Sequence, residues 1–291
     1  MIDYDRNNWW RTCFAWRGTV LPHVLDRVGL LTAFCLLFYV LNEHVLDKHS
    51  RLNEFDPLGH SVLGVALSML IVFRTNSANS RFWEARSHWG MVVNCSRNLI
   101  RMGATYAGPA EDLARLVSAY VLLVREQLRD NFDTTPIRHL VPGRVMARLE
   151  GVKNPAHILA GFMSEWVATR LAEGRLSAIL AARMEELIGL LVDNQGACEK
   201  IHKTPLPFVY AALIKQVLLF YLATLPFVLV PKMHFLAPLV VAGVSLGMLG
   251  IEEAGVEIED PFRLDPNHLP LDAICEMIRR DADDMAAGPR H

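Results

Sequence analysis

Four stretches of the chain are continuously apolar: 28–41, 61–73, 217–230 and 235–251. Each falls short of the ~20 residues a bilayer-spanning helix needs and reaches that length only with its flanks. Trp9, Trp10 and Trp16 precede the first stretch, as interfacial aromatics would. Only Pro231-Lys232-Met233-His234 separates the last two, which predicts an antiparallel hairpin. Basic residues are placed unevenly. Residues 1–27 carry four arginines and residues 74–101 carry five, whereas the connection 42–60 carries two basic residues against four acidic ones. Cytoplasmic loops collect lysine and arginine, so both termini and the region after the second stretch are expected on the cytoplasmic side, which four spans satisfy.

Between the second and third stretches the chain is too polar to span a membrane. Residues 111–129 place Leu113, Leu116, Val117, Tyr120, Val124 and Leu128 at helical spacing. Residues 176–191 repeat the pattern with Leu176, Ile179, Leu180, Met184 and Leu187, so both read as amphipathic helices. Pro136, Pro142-Gly143 and Pro155 punctuate the interval. No alternating strand pattern occurs. The expectation is an all-α membrane protein with four transmembrane helices and a helical cytosolic part. Its parts are an N-terminal interfacial segment (1–27), a first span (28–47), and a second span (59–73) continuing as a cytosolic helix to about 105. A cytosolic helical region (106–204), spans at 205–230 and 234–252, and an acidic cytosolic tail (253–291) follow.

The second stretch does not stop where its apolar run stops. In "FRTNSANSRFWEAR", residues 73–86, no Gly or Pro ends the helix. On a helix of 3.6 residues per turn, Val65, Met69, Phe73, Asn76 and Ser80 drift along one face, bulky and apolar first, small and polar afterwards. Lipid, a packed core and bulk water each suit only half of that stripe. A pore suits both halves: apolar rings form a neck that can gate by dewetting, and small polar side chains line the wider vestibule beyond. One helix cannot enclose a pore, so this reading requires an oligomer. Gly64 permits close helix approach. Arg74 lies about 100° from Phe73 and is expected to pair at a subunit interface or with lipid headgroups; Trp83 and Trp89 are expected to pack against neighbouring helices.

Composition fits a chain divided between bilayer and water, being 52% hydrophobic and 21% charged with positive mean hydropathy. A net charge of −2 with no basic stripe argues against a nucleic-acid partner. Asp3 and Asp5 stand where a signal peptide would be basic, so no cleaved signal is expected. The five cysteines are scattered without a C-x-x-C motif and read as reduced structural thiols.

Three strings carry a resemblance: "FRTNSANSRFWEARSHWG" (73–90), "NQGACEKIHKTPLPFVYAALIKQ" (194–216) and "EEAGVEIEDPFRLDPNHLPLDAICEMI" (252–278). In order and spacing they are similar to the signature regions of bacterial bestrophins along nearly the whole chain. The resemblance implies a homopentameric ion channel of the bacterial inner membrane, four membrane helices per subunit and one pore on the five-fold axis. It places three rings of a hydrophobic neck on Val65, Met69 and Phe73, the positions the helical projection picks out. Many relatives carry Ile or Phe at the first two rings, so Val65 and Met69 imply a less tightly filled neck. It places a second, cytosolic constriction on Leu206, ahead of Pro207. Animal members bind calcium through an acidic run after the fourth membrane helix. Here Ile258 interrupts that run, so no high-affinity calcium site is expected, since a hard divalent cation needs several oxygens at once. Glu257, Glu259 and Asp260 are expected to make structural ion pairs between subunits.

No P-loop, G-x-G-x-x-G, H-E-x-x-H or G-x-S-x-G string is present. A rival reading is a membrane-embedded carboxylate metalloenzyme, on the strength of one E-x-x-H (Glu199, His202) together with Glu252, Glu253 and Glu257, but di-iron bundles use two such motifs. A non-conducting membrane scaffold is a third reading, and it leaves the apolar-to-polar stripe without a purpose. The sequence reading is therefore a channel without catalytic residues, cofactor or metal, whose partners are copies of itself, the lipid bilayer and permeant small monovalent ions. Family naming favours chloride, and cations stay open.

Overall fold

The computed structural model describes residues 7–44 and 56–287. The expected end of the first span (45–47), most of the acidic connection, Asp3, Asp5 and the tail residues 288–291 lie outside the described residues. Among the described residues every regular element is helical. In chain order they are α1 (Trp9–Cys13), α2 (Leu21–His44), α3 (Pro57–Met102), a π-helical turn (Gly103–Ala107), α4 (Glu111–Leu128), α5 (Gly143–Leu149), α6 (Pro155–Ala172), α7 (Ala178–Lys203), α8 (Phe208–Met233), α9 (Ala237–Glu259) and α10 (Leu271–Ala286). Short 3₁₀ turns precede α5 and join α8 to α9.

Local chemistry sets the helix starts. Asp56 caps α3 by accepting from the Leu58 N–H at 2.9 Å, and Pro57 occupies the first turn, where its missing N–H costs nothing. Asn154 and Pro155 start α6 in the same way, with the His157 N–H donating to Asn154 at 3.1 Å. Ser177 caps α7. That helix begins two residues later than the apolar pattern and runs twelve residues past its expected end at 191, to Lys203. The stretch expected as an acidic tail contains α10, whose Leu271, Ile274, Cys275 and Ile278 are buried in an apolar core shared with α4 and the end of α3.

Two apolar cores result. One joins α2, the first part of α3, α8 and α9 through residues such as Val24, Leu31, Leu67, Ile71, Leu218, Leu222 and Val241. The other joins the remainder of α3 to α4, α6, α7 and α10 around Trp89, Leu99, Tyr120, Met163 and Met184. The helix α3 enters both, and its 46 residues span about 70 Å. That exceeds the ~30 Å hydrocarbon thickness of a bilayer by a wide margin. Among the described residues three helical stretches are long and apolar enough to cross a membrane: Leu21–His44, Pro57–Ala107 and Phe208–Glu259. The last folds back on itself. Its two ends meet where Lys215 Nζ lies 3.9 Å from Glu252, and where the Leu206 N–H, just before α8, donates to Glu259 at 2.7 Å. The antiparallel hairpin turns at His234, which adopts a positive φ of 46°.

The five cysteines are all free, four of them buried. Burial pushes the Cys198 and Cys275 thiols up to about 12, so both stay protonated at neutral pH.

Candidate pore-lining helix and its polar junction

The helix α3 continues without a break through Thr75–Ser80, where every residue but Ala78 is a poor helix former. Tertiary anchors on either side hold it. The buried line of α3 is Leu67, Ile71, Arg74, Ala78, Ala85 and Trp89. The opposite line carries Val65, Met69 and Phe73, which are 73%, 60% and 53% exposed, against 0% and 4% for Leu67 and Ile71. Asn76 and Ser80 continue that exposed line. A single surface thus passes from large apolar to small polar side chains, and none of the described residues covers it. Trp89 is fully buried, as expected, but Trp83 is 61% exposed with only an edge contact to Phe82 at 5.9 Å. It lies two turns beyond Asn76 on the open line, not on the line of Ala85 and Trp89. Gly64 does permit a close approach, from within the chain: a Cβ there would lie 3.0 Å from the Tyr221 hydroxyl of α8.

Arg74 turns inward. Its guanidinium is buried and pairs with Glu252 on α9, with Glu259 3.6 Å away. The expected partner at a subunit interface or in lipid headgroups is replaced by these two carboxylates of the same chain. Burial of a charge demands such pairing, because an unpaired guanidinium in this apolar setting would be costly. At the same level Arg27 of α2 bonds Glu253 at 2.9 Å and Lys215 of α8 approaches Glu252. The start of α2, the middle of α3, the start of α8 and the end of α9 therefore meet in one charged belt beneath the apolar core.

Below the belt, Arg81 clasps three backbone carbonyls. Its Nη1 and Nη2 donate to Thr204 and Ile201, each at 2.6 Å, and Nε donates to Glu259 at 3.2 Å. Two of these are terminal carbonyls of α7, where a guanidinium both fills orphan acceptors and offsets the helix dipole. Leu206 is half-buried in the short connection that follows, and its N–H is held by Glu259. The carboxylate of Glu259 thus stands between Arg74 and Leu206, linking the foot of the apolar stripe to the loop before α8.

The acidic residues of 257–260 find partners inside the chain. Asp260 pairs with Arg263 at 2.7 Å and lies 3.7 Å from His202, while Glu259 is held as described. Glu257 accepts from the Asn267 amide at 2.8 Å and has no cationic partner among the described residues. Glu199, the carboxylate of the E-x-x-H string, accepts from Gln127, Gln195 and Lys203, and His202 turns to Asp130 at 3.1 Å. Glu199 and His202 thus serve two different networks. Among the described residues no three His, Cys, Asp or Glu side chains converge as metal ligands.

Sequence reasoning missed the roles of Arg81 and Glu252. Arg81 was visible only as part of the "RFWEAR" string. For Glu252 the available signal was an ionisable residue at the end of an apolar helix, which as a rule marks a paired charge.

Comparison with known proteins agrees with this architecture over almost the whole chain. The family described as "Bacterial/Fungal Bestrophin protein" matches residues 1–284. A curated relative from Nostoc sp., named as a voltage-dependent anion channel-forming protein, is 32% identical over 290 residues, covering 97% of this chain and 93% of the relative. YneE of Escherichia coli, bearing the same description, is 31% identical over 285 residues, with 97% and 92% covered. Among solved structures, a bacterial bestrophin homologue from Klebsiella pneumoniae superposes with a TM-score of 0.83 at 26% identity, covering 92% of this chain and all of that one.

Proposed function

The chain belongs to the bacterial/fungal bestrophin family, and from that membership we propose that it forms a homopentameric ion channel of the bacterial inner membrane. It conducts small monovalent anions, chloride first among them, down their gradient. Each subunit contributes four spans: α2, the first part of α3, α8 and α9. Both termini lie on the cytoplasmic side, a reading supported by the charged belt where α2 starts and α9 ends. Five copies of α3 surround the axis. Val65, Met69 and Phe73 form the neck, Asn76 and Ser80 line the vestibule, and Leu206 forms a cytosolic aperture.

One observation carries this reading: the uncovered stripe on α3, opposite its buried line, passes from apolar to small polar without a break in the helix. In a pentamer that stripe is lined up with itself around water. An apolar neck offers no direct charge filter, so selectivity arises from ring width, ease of partial dehydration and the field of the vestibule. Anion preference draws on the names of the relatives, not on any cationic ring on this stripe. Reversal potentials of the purified protein in planar bilayers under bi-ionic conditions test it. The expected potential follows chloride when the cation is exchanged. A potential that follows potassium or sodium instead leaves the channel standing and removes the anion assignment, and an absence of current in reconstituted pentamers removes the channel.

A further inference from the structure

The open line of α3 does not end at Ser80. One turn further stands Glu84, about 20° from Phe73 in projection and about 16 Å beyond it along the helix. It is the first ionisable side chain on that line after the apolar stretch. Its side chain is 53% exposed, against 2%, 19% and 15% for Glu252, Glu253 and Glu259, each of which has an arginine partner.

Among the described residues the only basic group within ion-pair reach of Glu84 is His88, whose Nε2 lies 3.9 Å away. That imidazole is committed elsewhere. The Asn194 amide donates to the Leu190 carbonyl at 2.7 Å, which turns its Oδ1 towards His88 Nδ1, 2.8 Å away. Nδ1 therefore carries a proton, and in the neutral ring Nε2 offers Glu84 a lone pair instead of a donor. Arg81, one turn earlier, spends its donors on the carbonyls of Thr204, Ile201 and Glu259. Arg86 leaves the helix about 160° from Glu84. One unpaired surface carboxylate is ordinary in a single chain. Five around a common axis would act together, because a water-filled cleft with low-dielectric walls focuses the field of a single sign of charge.

We propose that the Glu84 carboxylates form a charged ring in the vestibule that gathers cations, depletes anions and so opposes the anion preference in dilute salt. This rests on the pentameric channel reading. The ring lies beyond the ~10 Å Debye length from the neck at about 0.1 M salt, so it acts on the supply of ions to the neck and not on their passage through it. The test is the reversal potential of the reconstituted full-length protein in a potassium chloride gradient, measured in dilute salt and again near 1 M, where the Debye length falls to ~3 Å. The parental chloride-to-potassium permeability ratio is expected to rise with salt. Glu84→Gln should raise that ratio at least about threefold in dilute salt and leave it unchanged near 1 M. Glu84→Asp, which keeps the charge, should stay near the parental ratio, as should Glu150→Gln, an exposed carboxylate in the turn after α5. A purely structural role for Glu84 would not fade with salt. The ring is overturned by an unchanged ratio in Glu84→Gln in dilute salt, by a change that persists undiminished near 1 M, or by an equal change in Glu150→Gln. If Phe73→Ala alters conductance while Glu84→Gln leaves the ratio alone, the ring falls and the pore stands; a parent that carries no current removes both.

Discussion

Arg74 and Arg81 sit two turns apart on α3 and do opposite kinds of work. Arg74 is a buried charge whose value lies in its partners. Removing it alone leaves the buried Glu252 with only the more distant Lys215, 3.9 Å away, so Arg74→Met is expected to lower the unfolding free energy in detergent by ~3 kcal/mol. The double change Arg74→Met with Glu252→Met removes both charges and should recover a substantial part of that loss. A double variant no more stable than the single one would show that the pair is not the source of the effect. Arg81 holds backbone instead of charge, and its three donors reach three carbonyls in a fork that lysine cannot reproduce. Arg81→Lys is therefore expected to speed amide hydrogen exchange at the end of α7 and at Leu206 while leaving exchange in α4 unchanged. Uniform protection in the variant would contradict the clasp.

At the scale of elements, α3 and α8 meet closely at Gly64, and a methyl group there would crowd the Tyr221 ring. Gly64→Ala is expected to cost ~1–3 kcal/mol by overpacking, read as a lowered unfolding midpoint. The helix α10 docks on α4 through Asp272, which accepts from Arg125 and from both Nη atoms of Arg129. The hydrogen bond from Arg129 holds the Asp272 carboxyl below the usual carboxylate range, and neighbouring positive charge adds to it. A carboxylate whose pKa is depressed by folding stabilises above its unfolded value, and that contribution is lost as pH falls through the folded value. Acid unfolding below about pH 4 should thus include release of α10. Asp272→Asn should be less stable than the parent at neutral pH and should lose less stability on acidification. Parallel stability–pH curves would exclude this contribution.

These elements also show what a sequence can reveal. The continuity of α3 was legible because nothing in 74–89 breaks a helix, and α4 was legible from its apolar period. The helix α6 was obscured because Pro155, read as punctuation, is a first-turn proline that starts a helix. The helix α10 was obscured because its many acidic residues mask the apolar line Leu271, Ile274, Cys275 and Ile278. The partner of Arg74 lies 178 residues away along the chain, a separation that local periodicity cannot bridge.

For the molecule as a whole, α3 is the shared member of a core suited to the bilayer and a core suited to water, and its open stripe is what one chain cannot complete. The proposed assembly predicts pentamers in mild detergent, and it also predicts a difference between two kinds of exposed apolar residue. Phe73 on α3 and Leu36 on α2 are exposed to similar extents, 53% and 52%. In the proposed channel the first is expected to meet ions and the second lipid. Single-channel conductance of Phe73→Ala and Leu36→Ala in planar bilayers separates them. The account predicts a larger conductance for Phe73→Ala, from a widened ring, and parental conductance for Leu36→Ala; parental conductance in both would contradict a pore lined by α3.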